Sequence, residues 1–126
     1  MKRLNNSIPK LGIIMGVIVL AILGTIAIIR ESFSQKVVVI NNTDMEIIRT
    51  TVSFAGDTVL FQNIKSGAKL MQNINATKDG NFDIRIEFID GTIIERTALG
   101  YITTGDTSKT TFTIKSKDTV DFEQVY

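Results

Sequence analysis

The chain has 126 residues and a formal charge of +1, and it contains no Cys, His or Trp. Those absences remove the usual ligands of zinc, copper, haem and iron–sulfur centres, so calcium and magnesium are the metals still compatible with the composition. They also exclude disulfides, so a domain outside the cytoplasm must be held by packing alone, which fits a bacterial envelope better than a small secreted eukaryotic protein.

The small net charge hides an asymmetry. Lys2, Arg3, Lys10 and Arg30 lie in a first segment without a single acid, while all 13 acidic residues fall after it, against the ten remaining basic ones. That mildly acidic remainder lacks the clustered positive surface needed to displace counterions, so nucleic acid is not an expected partner.

Residues 1–10 form a basic tail, with Pro9 where the first turn of a helix tolerates a missing N–H. Residues 11–29 carry no charge, and Thr25 is their only polar side chain. A helix of that length spans roughly 28 Å, close to the ~30 Å hydrocarbon core of a bilayer. The charge bias places the tail in the cytoplasm and everything after Arg30 outside it, the topology of a single-pass inner-membrane protein. A signal-peptide apolar region is shorter, about 7–15 residues, and ends at a small-x-small site. Here Thr25-Ile26-Ala27 lies inside the apolar run and Ser32-Phe33-Ser34 beyond a charged pair, so the segment reads as a retained anchor. With no Cys after it, lipoprotein attachment is excluded. Gly12 and Gly16 form a G-x-x-x-G, the spacing that lets two membrane helices approach closely, and are the candidate packing positions of a homodimer. Residues 30–35 form a linker that reaches at most about 20 Å, so a partner must lie near the bilayer.

Lys10-Leu11-Gly12 before a long apolar run resembles the leader end of type IV pilins. The acidic residue that the family places five positions into the mature helix would fall at Val17, and a period-two pattern begins by Lys36, where the pilin helix would continue. The resemblance therefore goes no further than the leader.

From Lys36 the pattern is that of half-buried strands. Residues 36–41 are a β-branched run ended by Asn41-Asn42-Thr43-Asp44, a cluster that favours turns. Residues 46–54 place Ile48, Val52 and Phe54 on one face, residues 58–64 form the next strand, and residues 68–76 a weaker one. The clearest strand alternates Phe82, Ile84, Ile86 and Phe88 with Asp83, Arg85 and Glu87. Asp90-Gly91 is the strongest hairpin signal, since a tight turn needs the positive φ that Asp and Gly tolerate, and it predicts an antiparallel strand over residues 92–99. Tyr101-Ile102 resumes the pattern briefly after Gly100 breaks it. Residues 109–115 set Thr110, Phe112 and Ile114 on one side, and Val120 and Phe122 suggest a short edge strand.

These runs predict an all-β domain over residues 36–126, an antiparallel Ig-like β-sandwich of about seven strands. The stripe Phe82, Ile84, Ile86 and Phe88 is expected to face Phe112 and Ile114, and the Ile48, Val52 and Phe54 set, across the sandwich. The order of residues 37–42, 47–54 and Ile64-Lys65-Ser66-Gly67 resembles the Ig-like domains on the outer face of many membrane-anchored bacterial proteins. The resemblance implies a binding or structural module without specifying a ligand.

Three short motifs invite chemistry. Ser66-Gly67-Ala68-Lys69 has the S-x-x-K spacing, but a serine and lysine meet at that spacing only on a helix, and this one lies in a turn before a strand. Asp79-Gly80-Asn81-Phe82-Asp83, with Asp90 at the twelfth position, follows a calcium loop, yet Ile84 stands where the loop needs Gly. Asn41-Asn42-Thr43 and Asn75-Ala76-Thr77 are glycosylation sequons, relevant only in a eukaryotic secretory pathway. No catalytic, cofactor-binding or metal-binding residue is assigned. The expected function is a non-enzymatic module that binds another envelope protein, with two alternatives: a structural subunit of a secretion or pilus assembly, and a small carboxylate-based hydrolase.

Overall fold

β-branched and aromatic side chains that alternate with polar ones form nine strands here. The structure, a computed structural model, describes residues 34–126. The apolar segment at residues 11–29, with Gly12 and Gly16, lies outside them, as do the basic tail and most of the linker. Among the described residues no helix is long and apolar enough to cross a membrane.

The strands are β1 (Gln35–Asn41), β2 (Ile47–Phe54), β3 (Asp57–Ile64), β4 (Lys69–Ile74), β5 (Gly80–Phe88), β6 (Ile93–Arg96), β7 (Tyr101–Ile102), β8 (Lys109–Ile114) and β9 (Val120–Val125). They build two sheets, one ordered β4-β1-β8-β9 and the other β3-β2-β5-β6, with β7 added against β5. Their apolar faces meet in one core that runs from Val37 and Val39 through Phe82 and Phe88 to Phe112 and Ile114.

The architecture is thus an all-β, sandwich-like pair of sheets, and it departs from the sequence-based expectation in four respects. Nine strands replace about seven, because Tyr101-Ile102 pairs with Gly80-Asn81 and the last edge is a full six-residue strand. The sheets are mostly antiparallel, but β1 runs parallel to β8, from Lys36 beside Lys109 to Asn41 beside Ile114. Ile48 does not face the core: a bulge against β5 between Ile47 and Arg49 turns Ile47 fully inward and leaves Ile48 exposed. Val52 and Phe54 lie beside the β5 stripe and not across from it, since β2 pairs directly with β5. Phe112 does come from the opposite sheet. Its ring meets Phe82 edge-on at 5.8 Å, and Phe82 meets its same-sheet neighbour Phe54 at 5.7 Å.

The hairpin at Asp90-Gly91 forms with a three-residue loop. Gly91 N–H bonds Phe88 O at 3.0 Å, Phe88 N–H bonds Thr92 O at 2.9 Å, and Gly91 alone takes the positive φ, of 87°. Asp90 instead accepts the Thr92 N–H at 3.0 Å through its carboxylate.

Two buried amides fix the ends of β1. At its start, the Gln35 Nε2 group donates to Thr103 O at 2.7 Å and to Asp106 Oδ1 at 2.9 Å, while Gln35 Oε1 accepts the Ala76 N–H. At its end, Asn41 Nδ2 donates to Met45 O at 2.8 Å and Ile64 O at 2.9 Å, and Asn41 Oδ1 accepts from Thr43. Asp106 also accepts from Ser108 N–H and Oγ and from Thr103 N–H. One buried group is less well served. Thr50 Oγ1 has no hydrogen-bond partner among the described residues, a deficit worth about 1–3 kcal/mol.

Two predictions follow from the packing. In urea melts of the full chain in detergent, Phe88→Ala should lose about 3–5 kcal/mol of the ~5–15 kcal/mol that a domain this size possesses. Glu87→Ala, whose side chain makes only a 3.8 Å ion pair with Arg85 on the wet face, should change stability by less than about 0.5 kcal/mol. Equal losses would mean the register of β5 is wrong. The second concerns acid. Burial pushes the Asp106 carboxyl up, but hydrogen bonds from Ser108, Gln35 and Thr103 outweigh it and hold the group below the ordinary value of 3.8. A depressed carboxylate stabilises fully above that ordinary value, and the contribution disappears as the pH falls below it. Asp106→Asn should therefore destabilise the chain at pH 7 by about 1–3 kcal/mol and flatten the acid side of its stability profile, measured as melts between pH 7 and pH 2.

Candidate functional site

The outward side of the β3-β2-β5-β6 sheet carries a depression. It is a shallow groove of about 230 Å³ lined by Thr51, Ser53, Asp83, Arg85, Glu95, Arg96 and their neighbours. Strand register explains the grouping: Thr51 lies opposite Arg85, Arg85 opposite Glu95, and Ser53 opposite Asp83, so all of these side chains leave the sheet on one face. Its charges are already engaged. Arg85 pairs with Glu95 at 3.2 Å, Asp83 accepts the Ala98 N–H at 2.9 Å, and Arg96 donates to Glu95 O and to Asp118 O. Small-molecule sites enclose about 300–1,000 Å³, so this groove is undersized for one.

The sequence motifs are dispersed. Ser66 donates its hydroxyl to Thr43 O from a turn, and Lys69 opens β4, so the pair has no helix to share. Asp79 accepts from the N–H and hydroxyl of Thr104, Asp83 from Ala98, and Asp90 from Thr92 and Lys117, with the extended β5 holding Asp79 and Asp90 apart. Asn41 is wholly buried and spends its amide inside the fold, whereas Asn75 is exposed.

The loops at the Asn41 end are tied pairwise by charge. Lys65 pairs with Glu46 at 3.0 Å, and Lys117 pairs with Asp90. The hydrogen bond from Lys117, aided by Thr92, lowers the Asp90 carboxyl to about 2, and bonds from Ser116 and Thr119 depress Asp118. The charges at this end are internally paired, and its exposed apolar side chains are the aliphatic Ile48, Ile89 and Ile93.

The margin where β9 approaches β7 is different. Among the described residues, every exposed aromatic side chain is here: Tyr101 at 48%, Phe122 at 40% and Tyr126 at 76%, with Val125 exposed beside them. Phe122 sits directly opposite Phe112 and so faces inward, and its ring stacks 6.5 Å from that of Phe112. Gly100 lies against Phe122, in a left-handed conformation of 76°. A Cβ there would fall 2.5 Å from Phe122 Cε2 and 2.6 Å from Gln124 Oε1. Gln124 closes the margin by accepting the Tyr101 N–H at 3.3 Å and donating to Tyr101 O at 2.8 Å. The sequence signals only part of this. Gly100 reads as a strand break and Phe122 as a short edge, and neither shows that the two meet.

An NMR structure of a protein from Eubacterium rectale has the same fold, with a TM-score of 0.53 at 13% sequence identity over 72% of this chain and 87% of that one. At that identity the likeness establishes the fold alone. No protein-family model and no curated protein matches the chain.

Gly100→Ala tests the margin. The strained φ and the displacement of Phe122 should cost about 1–3 kcal/mol in urea melts, and the Tyr101 amide should exchange its hydrogen faster. Unchanged melts would mean that Phe122 does not rest on Gly100.

Proposed function

We propose that the protein is a non-enzymatic, single-pass module of a cell envelope that binds another envelope protein at the aromatic margin of β9 and β7. Residues 11–29 anchor it with the N-terminus in the cytoplasm, and residues 36–126 stand outside. The observation that carries the reading is the concentration of Tyr101, Phe122 and Tyr126 at one margin, while the other aromatic side chains of the domain are buried. Exposed aromatic residues are enriched at protein interfaces, where they bury large area at small entropic cost. The groove supports the same choice by default, being small and internally neutralised.

The Ig-like resemblance extends to architecture and not to connectivity. An Ig constant-type sandwich keeps its first two strands in one sheet, whereas β1 and β2 belong to different sheets here. Sandwiches with other connectivities serve equally as binding modules, so the reading rests on the exposed surface and not on the fold. The hydrolase alternative has Asp83 and Glu95 in one groove to recommend it, but both carboxylates are held by internal partners. A structural subunit would use the same aromatic margin and differ in forming a complex of fixed stoichiometry.

The absence of Cys makes a direct test available. Tyr101→Cys or Leu60→Cys in the full chain supplies a single thiol for a membrane-impermeant bifunctional reagent added to intact spheroplasts. Tyr101→Cys should react and join to one envelope protein, Leu60→Cys should react without a partner, and Asn5→Cys should stay unlabelled until the membrane is opened. Labelling of Asn5→Cys in intact spheroplasts would reverse the topology, and a partner joined only through Leu60→Cys would move the binding face to the opposite margin.

A further inference from the structure

β9 is an edge strand that pairs with β8 and with no other strand. Antiparallel ladders alternate between residues that bond their partner and residues whose N–H and C=O point away from it. The bond from Lys115 N–H to Thr119 O at 3.0 Å sets that alternation: Asp121 and Glu123 bond β8, while Val120, Phe122 and Gln124 turn their backbone groups outward. Those outward groups have no backbone partner among the described residues. The strand is six residues long and carries no Pro and no bulge, and what blunts its open edge is the like charge of Asp121 and Glu123.

We propose that β9 takes up an extended segment of a partner protein as an added strand, and that the segment alternates basic with apolar residues. The inference rests on the binding margin proposed above and names how it is used. A residue placed opposite Phe122 would lie over the Gly100 and Tyr101 margin, where an apolar side chain is favoured. Its neighbours would lie opposite Asp121 and Glu123 on the outward face of the sheet. Asp121 already pairs with Lys115, whereas Glu123 makes no ion pair among the described residues, its diagonal neighbour Lys109 included. Basic side chains at those places complete the charge pattern.

The same pattern argues against a second copy of this chain. The register that sets Phe122 against its own copy puts Asp121 opposite Glu123, acid against acid. The other open edge of this sheet, β4, is less suited. It carries Lys69, its single exposed large apolar side chain is Met71, and Gln72 bridges from it to Leu60 O on β3.

The experiment uses the full chain in detergent and a blocked hexapeptide in which lysines alternate with valine and phenylalanine. On binding, the amide hydrogens of Val120, Phe122 and Gln124 should become protected from exchange, while those of Asp121 and Glu123, already bonded to β8, should not change. Glu123→Lys should weaken binding about three- to tenfold. N-methylation of the peptide along its bonding edge should weaken it about tenfold or more, because the backbone bonds are then lost. Binding that ignores N-methylation but is abolished by Tyr101→Ala would overturn strand addition and leave the aromatic binding surface standing. Protection at Lys69, Met71 and Asn73 would assign the added strand to β4 and refute the proposal. Protection that appears on concentrating the chain without peptide would make the occupant a second copy and refute it as well. No saturable binding at all would end the inference, and the cross-linking from Tyr101→Cys judges the surface independently.

Discussion

The parallel ladder between β1 and β8 is the constraint on which the domain depends. It joins the first strand of the domain to the eighth with the whole of the other sheet's chain in between, and without it the β4-β1-β8-β9 sheet would separate into two hairpin-like pairs. The ladder is continued at one end by Lys36 N–H to Ser108 O and at the other by Asn42 N–H to Ile114 O. Gln35 and Asn41 then lock its register from both ends. A slip of one residue would carry Val37 and Val39 out of the core and leave two amides buried without their partners, each a cost of about 1–3 kcal/mol or more.

How much of this is legible in the sequence depends on whether a feature is local. The stripe of β5, the hairpin at Gly91 and the inward set Thr110, Phe112 and Ile114 are written as strict alternation, and the structure has all three. Ile48 is misplaced because a bulge inserts one residue into an otherwise regular alternation, and two adjacent isoleucines make either phase look equally apolar. The parallel pairing of β1 and β8 has no local signature at all, since both strands would read the same in an antiparallel sheet. The Asp106 network and the contact of Gly100 with Phe122 are likewise tertiary, each uniting a connection with a strand distant in sequence, β1 in the first case and β9 in the second. Thr50 is the opposite case. It shares the inward face of Val52 and Phe54, and only the structure shows its hydroxyl to be unserved among the described residues.

Surface chemistry divides along the same lines. Where loops crowd together, at Glu46 with Lys65 and at Asp90 with Lys117, opposite charges find one another. On the β2, β5 and β6 face, Arg85 does the same for Glu95. The β9 margin is satisfied by a neutral amide, Gln124, which holds Tyr101 by its backbone and leaves the aromatic rings uncovered. A single side chain thus closes the edge without concealing it.

The joining of β1 to β8 also orders events in time. A chain made from its N-terminus presents β2, β3, β5 and β6 complete before β8 exists, so one sheet assembles while the other is still half absent. In that interval Phe54, Phe82 and Phe88 face only half of the opposing layer, and β1 waits with one flank covered by β4 and the other bare. The last strands to appear are those that seal the core. A nascent chain of this design exposes the most unpaired strand edge just before β8 is made, when the open flank of β1 could accept a strand of another chain.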